Sequence, residues 1–350
     1  MIMKAITVNG PNNITMDNVS IRALKDDEIL IKVAYAGICA TDLAIYTGET
    51  DFVRKGLITY PCRIGHEWSG VVEAIGKSVT KFKKGDNVVT DNGVSCGECT
   101  MCTEGKYFEC TNLKSVGTIN CWDGCFAEYM IMPQRHTYSI SPSLSLKEAA
   151  LAEPLSISLA SVKKYSVDKS TTVAIIGTGA IGLGSAALCS KLGANKIIVI
   201  GRTEYKLQKA KECGATHIIN SRKENVHKSI YEITNNQGVD FVIETSGGKE
   251  TVMQSIDIVK EKGTVALAAF YEKTISNFNV DTLVQKQVEV KGVMGEFGLV
   301  PAACRILEDG LPVTGIITQC IEFDNVPEYF RKAHETSKER IKVLVKVSNI

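Results

Sequence analysis

The sequence predicts an α/β protein of two domains, one built on a doubly wound parallel sheet and one rich in β-strands. Three observations support this prediction. A chain of 350 residues is long enough for two domains of about 150 residues or more. After about residue 155, short apolar runs alternate with helical stretches, as in parallel sheets covered by helices on both faces. Before that point, apolar residues alternate with polar ones between glycines, which indicates strands.

The β-rich part and the alternating part each contain several predicted elements. In the first part, strands are predicted at Glu28–Ala36, Val71–Ile75 and Asn87–Thr90. In the second part, the predicted elements are strands Thr172–Ile176, Lys196–Ile200, Val239–Glu244 and Thr264–Ala269, and helices Ala180–Leu192, Glu204–Cys213 and Glu250–Lys260.

The last sixty residues show a weaker pattern. Helices are predicted at Pro301–Glu308 and Val326–His334, and Ile341–Val347 alternates like a strand with one solvated face. Spacing alone leaves open whether these elements extend the parallel sheet or rejoin the first domain.

Composition limits the classes of partner. Net charge is +1, so the chain carries no overall field that would attract nucleic acid or an anionic membrane. No apolar run is long enough for a membrane span, and the N-terminus lacks the pattern of a signal peptide. We therefore expect a cytoplasmic protein that binds neither nucleic acid nor a membrane. We also expect a homo-oligomer, either a dimer or a tetramer.

A glycine-rich motif lies between the first strand and the first helix of the alternating part. Its sequence is Gly177-Thr178-Gly179-Ala180-Ile181-Gly182. In this context the motif is typical of a dinucleotide site, where the glycines permit a tight turn, approach of a pyrophosphate and close packing. A glycine-rich turn without a ligand is the alternative.

The end of the second strand bears on the choice of dinucleotide. Gly201 lies where an NAD site usually has an acidic residue, and Arg202 and Thr203 follow it. Absence of an acid beside a guanidinium favours NADP, whose 2′-phosphate needs a cation. If Arg202 is only a solvated surface residue, NAD remains possible.

Four of the twelve cysteines are clustered, at Cys96, Cys99, Cys102 and Cys110. Four thiolates can close a tetrahedral shell around Zn²⁺ with no open position, which indicates a structural zinc. An iron–sulfur cluster and a zinc-ribbon binding module are the alternatives. The neutral net charge argues against contact with nucleic acid.

Three further groups lie apart in the sequence, and each alone is a weak signal. They are Cys39-Ala40-Thr41-Asp42, Gly65-His66-Glu67 and Glu153-Pro154-Leu155-Ser156. Together with the glycine motif and the four cysteines, they resemble the zinc-containing medium-chain dehydrogenase family. The stretch Gly65-His66-Glu67-x2-Gly70-x5-Gly76-x2-Val79 is similar to that family's zinc signature. Glu153-Pro154-Leu155-Ser156 resembles its polyol (sorbitol) dehydrogenase branch.

The resemblance implies a domain layout. Residues 1–154 would form a GroES-like catalytic domain with a structural zinc lobe at about 93–112. Residues 155–294 would form a Rossmann domain that binds the dinucleotide, and residues 295–350 would return to the catalytic domain.

The resemblance also implies roles for particular residues. Cys39, His66 and Glu67 would hold a catalytic zinc, with Glu153 as a direct or water-mediated partner. Asp42 would orient the imidazole of His66. The hydroxyl of Thr41 would contact the substrate oxygen and pass on its proton.

Two places depart from the family's pattern. A histidine that often continues the proton relay is absent, and Ala44 and Tyr46 stand at those positions. The Arg-Tyr pair of sorbitol-type enzymes is also missing, and Gly295-Glu296-Phe297 follows Met294 instead. Glu296 and Phe297 are candidate substrate residues. An acid there would disfavour phosphorylated substrates and tolerate a cationic group, unless Glu296 is simply an exposed loop residue.

These features predict a zinc-dependent oxidoreductase that transfers a hydride between NAD(P) and a secondary alcohol or ketone. A polyol, sugar alcohol or cyclitol is the expected substrate, and an amino-substituted alcohol (an aminocyclitol, or an amino acid such as threonine) is the alternative. Two hypotheses assign the protein to a class other than enzymes, namely a zinc-ribbon binding module and a relative that binds a cofactor but no longer catalyses a reaction.

Overall fold

The computed structural model describes residues 1–272, 274–276, 278–332 and 338–350. The chain forms two compact units. Unit 1 contains Met1–Glu153, Glu296–Asp309 and Gln319–Ile350, and unit 2 contains Pro154–Gly295 and Gly310–Thr318. One segment differs from the sequence-based layout. Residues 310–318, which that layout assigned to the catalytic domain, cluster with unit 2, where the Cys213 thiol contacts the carbonyl of Pro312.

The first part of unit 1 consists mostly of strands. In chain order the elements are β1 (Ile2–Gly10), β2 (Asn13–Ser20), β3 (Glu28–Ile38), α1 (Ala40–Thr47), α2 (Asp51–Arg54), β4 (Glu67–Ile75), β5 (Asn87–Thr90), β6 (Gly93–Val94), α3 (Thr100–Thr103), β7 (Lys114–Ser115), β8 (Tyr129–Pro133), β9 (Thr137–Ser139) and α4 (Leu146–Ala149). Strand β3 is central, since it pairs antiparallel with both β4 and β8. Its apolar side chains at Ile29, Ile31 and Val33 are fully buried, so the predicted alternation marks the core-facing side of the sheet.

Unit 2 has the predicted alternation of strands and helices. Its elements are α5 (Ala152–Val162), β10 (Thr172–Ile176), α6 (Ala180–Lys191), β11 (Lys196–Gly201), α7 (Glu204–Glu212), β12 (His217–Asn220), α8 (Val226–Ile233), β13 (Val239–Glu244), α9 (Thr251–Ile258), β14 (Val259–Leu267), α10 (Val280–Lys286) and β15 (Glu289–Gly292). The strands pair in the order β12-β11-β10-β13-β14-β15, all parallel. The predicted doubly wound sheet is confirmed. Sheets of this kind bind ligands where the direction of winding reverses, here at the carboxyl ends of β10 and β13.

The helix predicted at Glu250–Lys260 is shorter in the structure, where it covers Thr251–Ile258. Helix α9 ends at Ile258, and Val259 already pairs with Val239 as the first residue of β14. Lys262 has φ +57°, and the register of the ladder shifts along this stretch. The start of β14 is irregular, so its residues lack the strict alternation that would have marked them as a strand, and the prediction included them in the preceding helix.

The closing elements are α11 (Leu299–Glu308), β16 (Ile317–Glu322), α12 (Val326–Arg331) and β17 (Lys342–Lys346). Strand β17 pairs antiparallel with β3 and thus belongs to the sheet of unit 1. Helix α12 ends at Arg331, and the last two residues of the predicted helix Val326–His334 lie outside the described residues. The predicted solvated face of β17 is wrong, because Lys342 is only 4% exposed. None of the helices in the described ranges is long and apolar enough to cross a membrane.

Candidate metal centres and cofactor loop

Unit 1 brings Cys39, His66 and Glu67 together. Their ligand atoms all lie within 4.8 Å of one another. The sheet explains the approach, because Gly37 near the end of β3 is paired with Glu67 at the start of β4. A Cβ atom on Gly37 would lie 2.1 Å from Glu67 Oε2, so the space for this carboxylate depends on the absence of a side chain at residue 37. One thiolate, one imidazole and one carboxylate within such distances suit a catalytic Zn²⁺ with an open position.

Asp42 is fully buried beside this group and holds two of its segments. Its Oδ2 accepts a hydrogen bond from the Cys39 amide at 2.9 Å, and its Oδ1 accepts one from the Gly65 amide at 3.2 Å. His66 Nδ1 lies 3.3 Å from Oδ1 as a close ion-pair contact, without forming a hydrogen bond. Burial disfavours the protonated imidazole, yet the charges of Asp42 and Cys39 outweigh it and raise the pKa of His66 well above its ordinary value.

Lys342 is a site residue that the sequence interpretation missed. Its Nζ lies 2.7 Å from Glu67 Oε1 and 2.5 Å from Oε2, and both side chains are almost completely buried. The ammonium also donates to the carbonyl of Ile38 at 3.3 Å. The only sequence signal was a lysine at the start of a strand with an apolar centre, and this did not reveal its partner 275 residues away.

Glu153 lies beside the three-residue group without being part of it. Asn92 Nδ2 donates to Glu153 Oε1 at 2.6 Å, a contact that the sequence interpretation also missed. Burial raises the pKa of the Glu153 carboxyl to about 7, with the charge of His66 opposing and that of Glu67 reinforcing the shift. The role of Glu153 as a direct or water-mediated partner of the zinc stays a prediction.

Thr41 lies where a proton relay from the substrate would begin. Its hydroxyl is 3.7 Å from Cys39 Sγ, in the first turn of α1. Tyr46 does not extend this relay, because its ring is buried edge-on against Phe330 and its hydroxyl lies 3.4 Å from the carbonyl of Asn12. A relay from Thr41 would then continue through water or a cofactor hydroxyl, which stays a prediction.

The four clustered cysteines also lie together. Their Sγ atoms form a compact group, with separations of 3.5 Å (Cys99–Cys102), 3.8 Å (Cys96–Cys102) and 4.0 Å (Cys99–Cys110). Four thiolates at Zn–S distances of about 2.3 Å would be about 3.8 Å apart. The group fits a single tetrahedral ion better than a cluster, whose thiolates bind separate iron atoms. Hydrogen bonds from the backbone amides of Cys102 and Thr111 lower the pKa of Cys99 to about 6, which favours the thiolate.

Phe297 packs against this cysteine lobe. Its ring stacks on His136 at 5.0 Å between centroids and meets Phe108 edge-on at 5.2 Å. A Cβ atom on Gly93 would clash with the same ring at 2.2 Å. The preceding Glu296 is exposed. These contacts give Phe297 a packing role, and its assignment as a substrate residue stays a prediction, as does that of Glu296.

In unit 2 the glycine motif has the geometry that a dinucleotide loop needs. Gly177 has φ +118°, a conformation in which glycine is favoured, and it begins the turn after β10. A Cβ on Gly182 would lie 2.1 Å from the carbonyl of Gly177, whereas the space around Gly179 is open. The third glycine therefore permits close packing, and the second leaves room for a phosphate at the N-terminus of α6.

Two exposed arginines follow neighbouring strands, Arg202 directly after β11 and Arg222 two residues after β12. Arg202 follows Gly201, and Arg222 follows Ser221, whose amide donates to the Gly201 carbonyl at 2.9 Å. Arg222 was not identified from the sequence, because only the pairing of β11 with β12 brings it beside Gly201. Gly201 itself is buried, and a Cβ there would meet the Thr178 methyl at 2.6 Å. Close packing against Thr178 thus explains why residue 201 is a glycine. The two arginines make the surface after these strands positively charged.

Comparisons with known proteins agree with this geometry. Residues 25–142 match the alcohol dehydrogenase GroES-like domain, and residues 180–307 match the zinc-binding dehydrogenase domain. Sorbitol dehydrogenase of Bacillus subtilis (strain 168) is 32% identical, over 98% of this chain and 97% of that protein. L-threonine 3-dehydrogenase of Bacillus velezensis is also 32% identical, over 94% of each chain. A zinc-binding dehydrogenase of Sinorhizobium meliloti 1021, solved with NADP bound, superimposes with a TM-score of 0.90 at 30% identity, over 99% of this chain and all of that one.

The fold and the matched domains define a zinc-binding dehydrogenase. The chain belongs to the zinc-type medium-chain alcohol dehydrogenase family, in its polyol-like branch. It is therefore an enzyme of the oxidoreductase class, and the matches cover both domains rather than the cysteine lobe alone. The alternative of a zinc-ribbon binding module is thereby set aside.

Proposed function

We propose that the protein oxidises a secondary alcohol borne by a polyol, sugar alcohol or cyclitol, and reduces the corresponding ketone. The convergence of Cys39, His66 and Glu67, with Glu153 beside them, is the observation that supports this proposal most directly. The resemblance to a sorbitol dehydrogenase along nearly the whole chain supports the polyol class.

The chemistry follows from the positions of these side chains. A zinc ion held by Cys39, His66 and Glu67 would supply a Lewis acid for the substrate oxygen, and a bound nicotinamide would supply the hydride acceptor. The carbinol carbon loses a hydride, and its hydroxyl loses a proton. As Thr41 Oγ1 accepts that proton, it gives its own hydroxyl proton to water, so the side chain ends neutral. Glu153, held by Asn92, would be a direct or water-mediated partner of that zinc.

NADP is the proposed cofactor. Arg202 and Arg222 are both exposed, and neither side chain has an ion pair among the described residues. Two guanidinium groups near the end of β11 suit a 2′-phosphate, which accepts charge-assisted hydrogen bonds. The similarity to a dehydrogenase solved with NADP supports the same choice. Substitution of Gly201 would be a poor test, since a side chain there would clash with Thr178.

We further propose two zinc ions per chain, one at Cys39, His66 and Glu67 and one at the four clustered cysteines. Metal analysis of the purified protein tests this directly, with two equivalents expected. One equivalent would leave one of the two sites without its proposed metal.

An amino-substituted alcohol is the second candidate substrate, favoured by the similarity to an L-threonine 3-dehydrogenase. The deciding experiment is a panel of polyols, cyclitols, aminocyclitols, L-threonine and simple secondary alcohols, followed by NADPH absorbance. Highest kcat/KM for a polyol or cyclitol supports the first candidate. Highest kcat/KM for an amino alcohol supports the second, and no turnover of any alcohol by the zinc-loaded protein contradicts both.

A homo-oligomer is also proposed. Strand β15 is at the edge of the unit 2 sheet, and Val290 on it is 39% exposed. On the nearby α10, Val280 and Val284 are 55% and 62% exposed. An exposed apolar sheet edge of this kind favours association. Light scattering in solution tests this, and a monomer at micromolar concentration would contradict it.

A further inference from the structure

Buried polar atoms without partners are concentrated at one place in unit 1. In the described part of the chain, four buried side-chain atoms make no hydrogen bond, namely His66 Nδ1, Trp68 Nε1, Thr90 Oγ1 and Asn92 Oδ1. All four lie at or just beyond the start of β4 and the end of β5, which are antiparallel neighbours. Folded proteins satisfy nearly all buried polar groups, so such a concentration indicates a place where a ligand or water supplies the missing partners.

Asn92 is the member of this group that contacts Glu153, the carboxyl group beside the candidate metal centre. Its Nδ2 donates to Glu153 Oε1 at 2.6 Å, and this donor fixes which way the planar amide is turned. The oxygen and nitrogen of one amide are about 2.3 Å apart. Asn92 Oδ1 must therefore lie within about 5 Å of the Glu153 carboxylate. A buried acceptor is thus available next to a carboxyl group that senses the charges of His66 and Glu67.

We propose that Asn92 recognises the hydroxyl group next to the carbinol that reacts. This inference rests on the proposed alcohol oxidation at Cys39, His66 and Glu67. The amide would act in two directions, because Nδ2 orients Glu153 while Oδ1 accepts a hydrogen bond from the neighbouring hydroxyl. Hydroxyl oxygens on adjacent carbons can lie within about 3 Å of each other, so a substrate bound by one hydroxyl can present the other to a residue nearby.

The charges around Asn92 argue for a neutral donor. Oδ1 is only an acceptor, so a carboxylate or phosphate could not bond to it and would be repelled by Glu153. A second cation is disfavoured because the buried ammonium of Lys342 already interacts with Glu153. A vicinal diol meets both conditions, which makes the polyhydroxylated class the preferred one for this site.

The test compares two substrates that differ by one hydroxyl, 2,3-butanediol and 2-butanol. Wild-type enzyme should have the higher kcat/KM for the diol. Asn92→Leu, which keeps the volume and removes both polar atoms, should lower the diol-to-monoalcohol ratio by about threefold to tenfold, the value of one neutral hydrogen bond. Asn92→Ser is a second variant in case leucine prevents folding, and it should also lower the ratio. Asn87→Leu makes the same substitution at the other end of β5 and should leave the ratio unchanged.

A binding measurement separates recognition from catalysis. Calorimetry with the two alcohols and the zinc-loaded protein should show the same selective loss of affinity for the diol in the Asn92 variants. If both alcohols are affected equally in both assays, Asn92 only supports Glu153, and the inference is wrong. If wild-type enzyme oxidises neither alcohol nor any member of the wider panel, the proposed function fails, while the calorimetric ratio still decides the role of Asn92.

Discussion

Replacing Lys342 with methionine should destabilise unit 1 strongly, and by an amount that depends on zinc. Lys342 is 4% and Glu67 1% exposed, so the substitution leaves a carboxylate buried without its cation. Breaking a buried pair in this way costs about 3–5 kcal/mol. For a unit of this size the loss corresponds to a fall in melting temperature of about 6–20 °C. If Glu67 binds zinc, the metal replaces part of the lost charge, and the fall is smaller in zinc-loaded protein.

The assay is thermal unfolding of wild type and variant, each after zinc loading and after treatment with a chelator. The double variant Lys342→Met/Glu67→Gln is the matched control, since it removes both charges and should recover much of the stability of the chelated protein. A loss below about 1 kcal/mol in the chelated single variant would refute the reasoning about the buried pair. Equal losses with and without zinc would show that Glu67 is not a ligand.

Three further predictions concern the metals, the cofactor and pH. Cys39→Ser should abolish turnover while the zinc at the four clustered cysteines is kept. Cys99→Ser should instead lower thermal stability, because a structural zinc contributes folding free energy. Near-normal kcat in Cys39→Ser would exclude Cys39 as a ligand of the catalytic zinc. Combined Arg202→Ala and Arg222→Ala should reduce the NADP-to-NAD ratio of kcat/KM by about tenfold or more, and a wild type that already prefers NAD would contradict the proposed cofactor. Burial raises the pKa of Asp91 from 3.8 to about 6. The folded state therefore binds the extra proton between these values, and its stability should fall by up to about 3 kcal/mol as pH rises from 4 to 6. In urea unfolding, the stability of Asp91→Asn should change less between pH 4 and pH 6 than that of the wild type. The same pH dependence in both proteins would show that Asp91 does not bind this proton.

The sequence by itself determined the features that depend on local pattern. Short apolar strands, the helices between them and the glycine turn after Ile176 all follow from periodicity and from the conformations that glycine permits. The spacing of four cysteines within fifteen residues likewise restricts the possible partners of each thiolate. The resemblance to a known family then supplied roles for Cys39 and His66, which lie far apart in sequence and which spacing alone would not have joined.

Only the tertiary structure decided the residues whose roles depend on partners distant in the chain. Lys342 was expected on a solvated face, but pairing of β17 with β3 places it beside Glu67, where its charge is balanced. Asn92 contacts Glu153, and Ser221, the residue before Arg222, bonds to Gly201 at the end of β11; no local pattern connects these segments. Phe297 likewise packs against the cysteine lobe. The physical reason is general. A periodic pattern indicates which face of a strand or helix is buried, whereas the residues that a side chain meets are set by strand pairing and packing between segments tens to hundreds of residues apart.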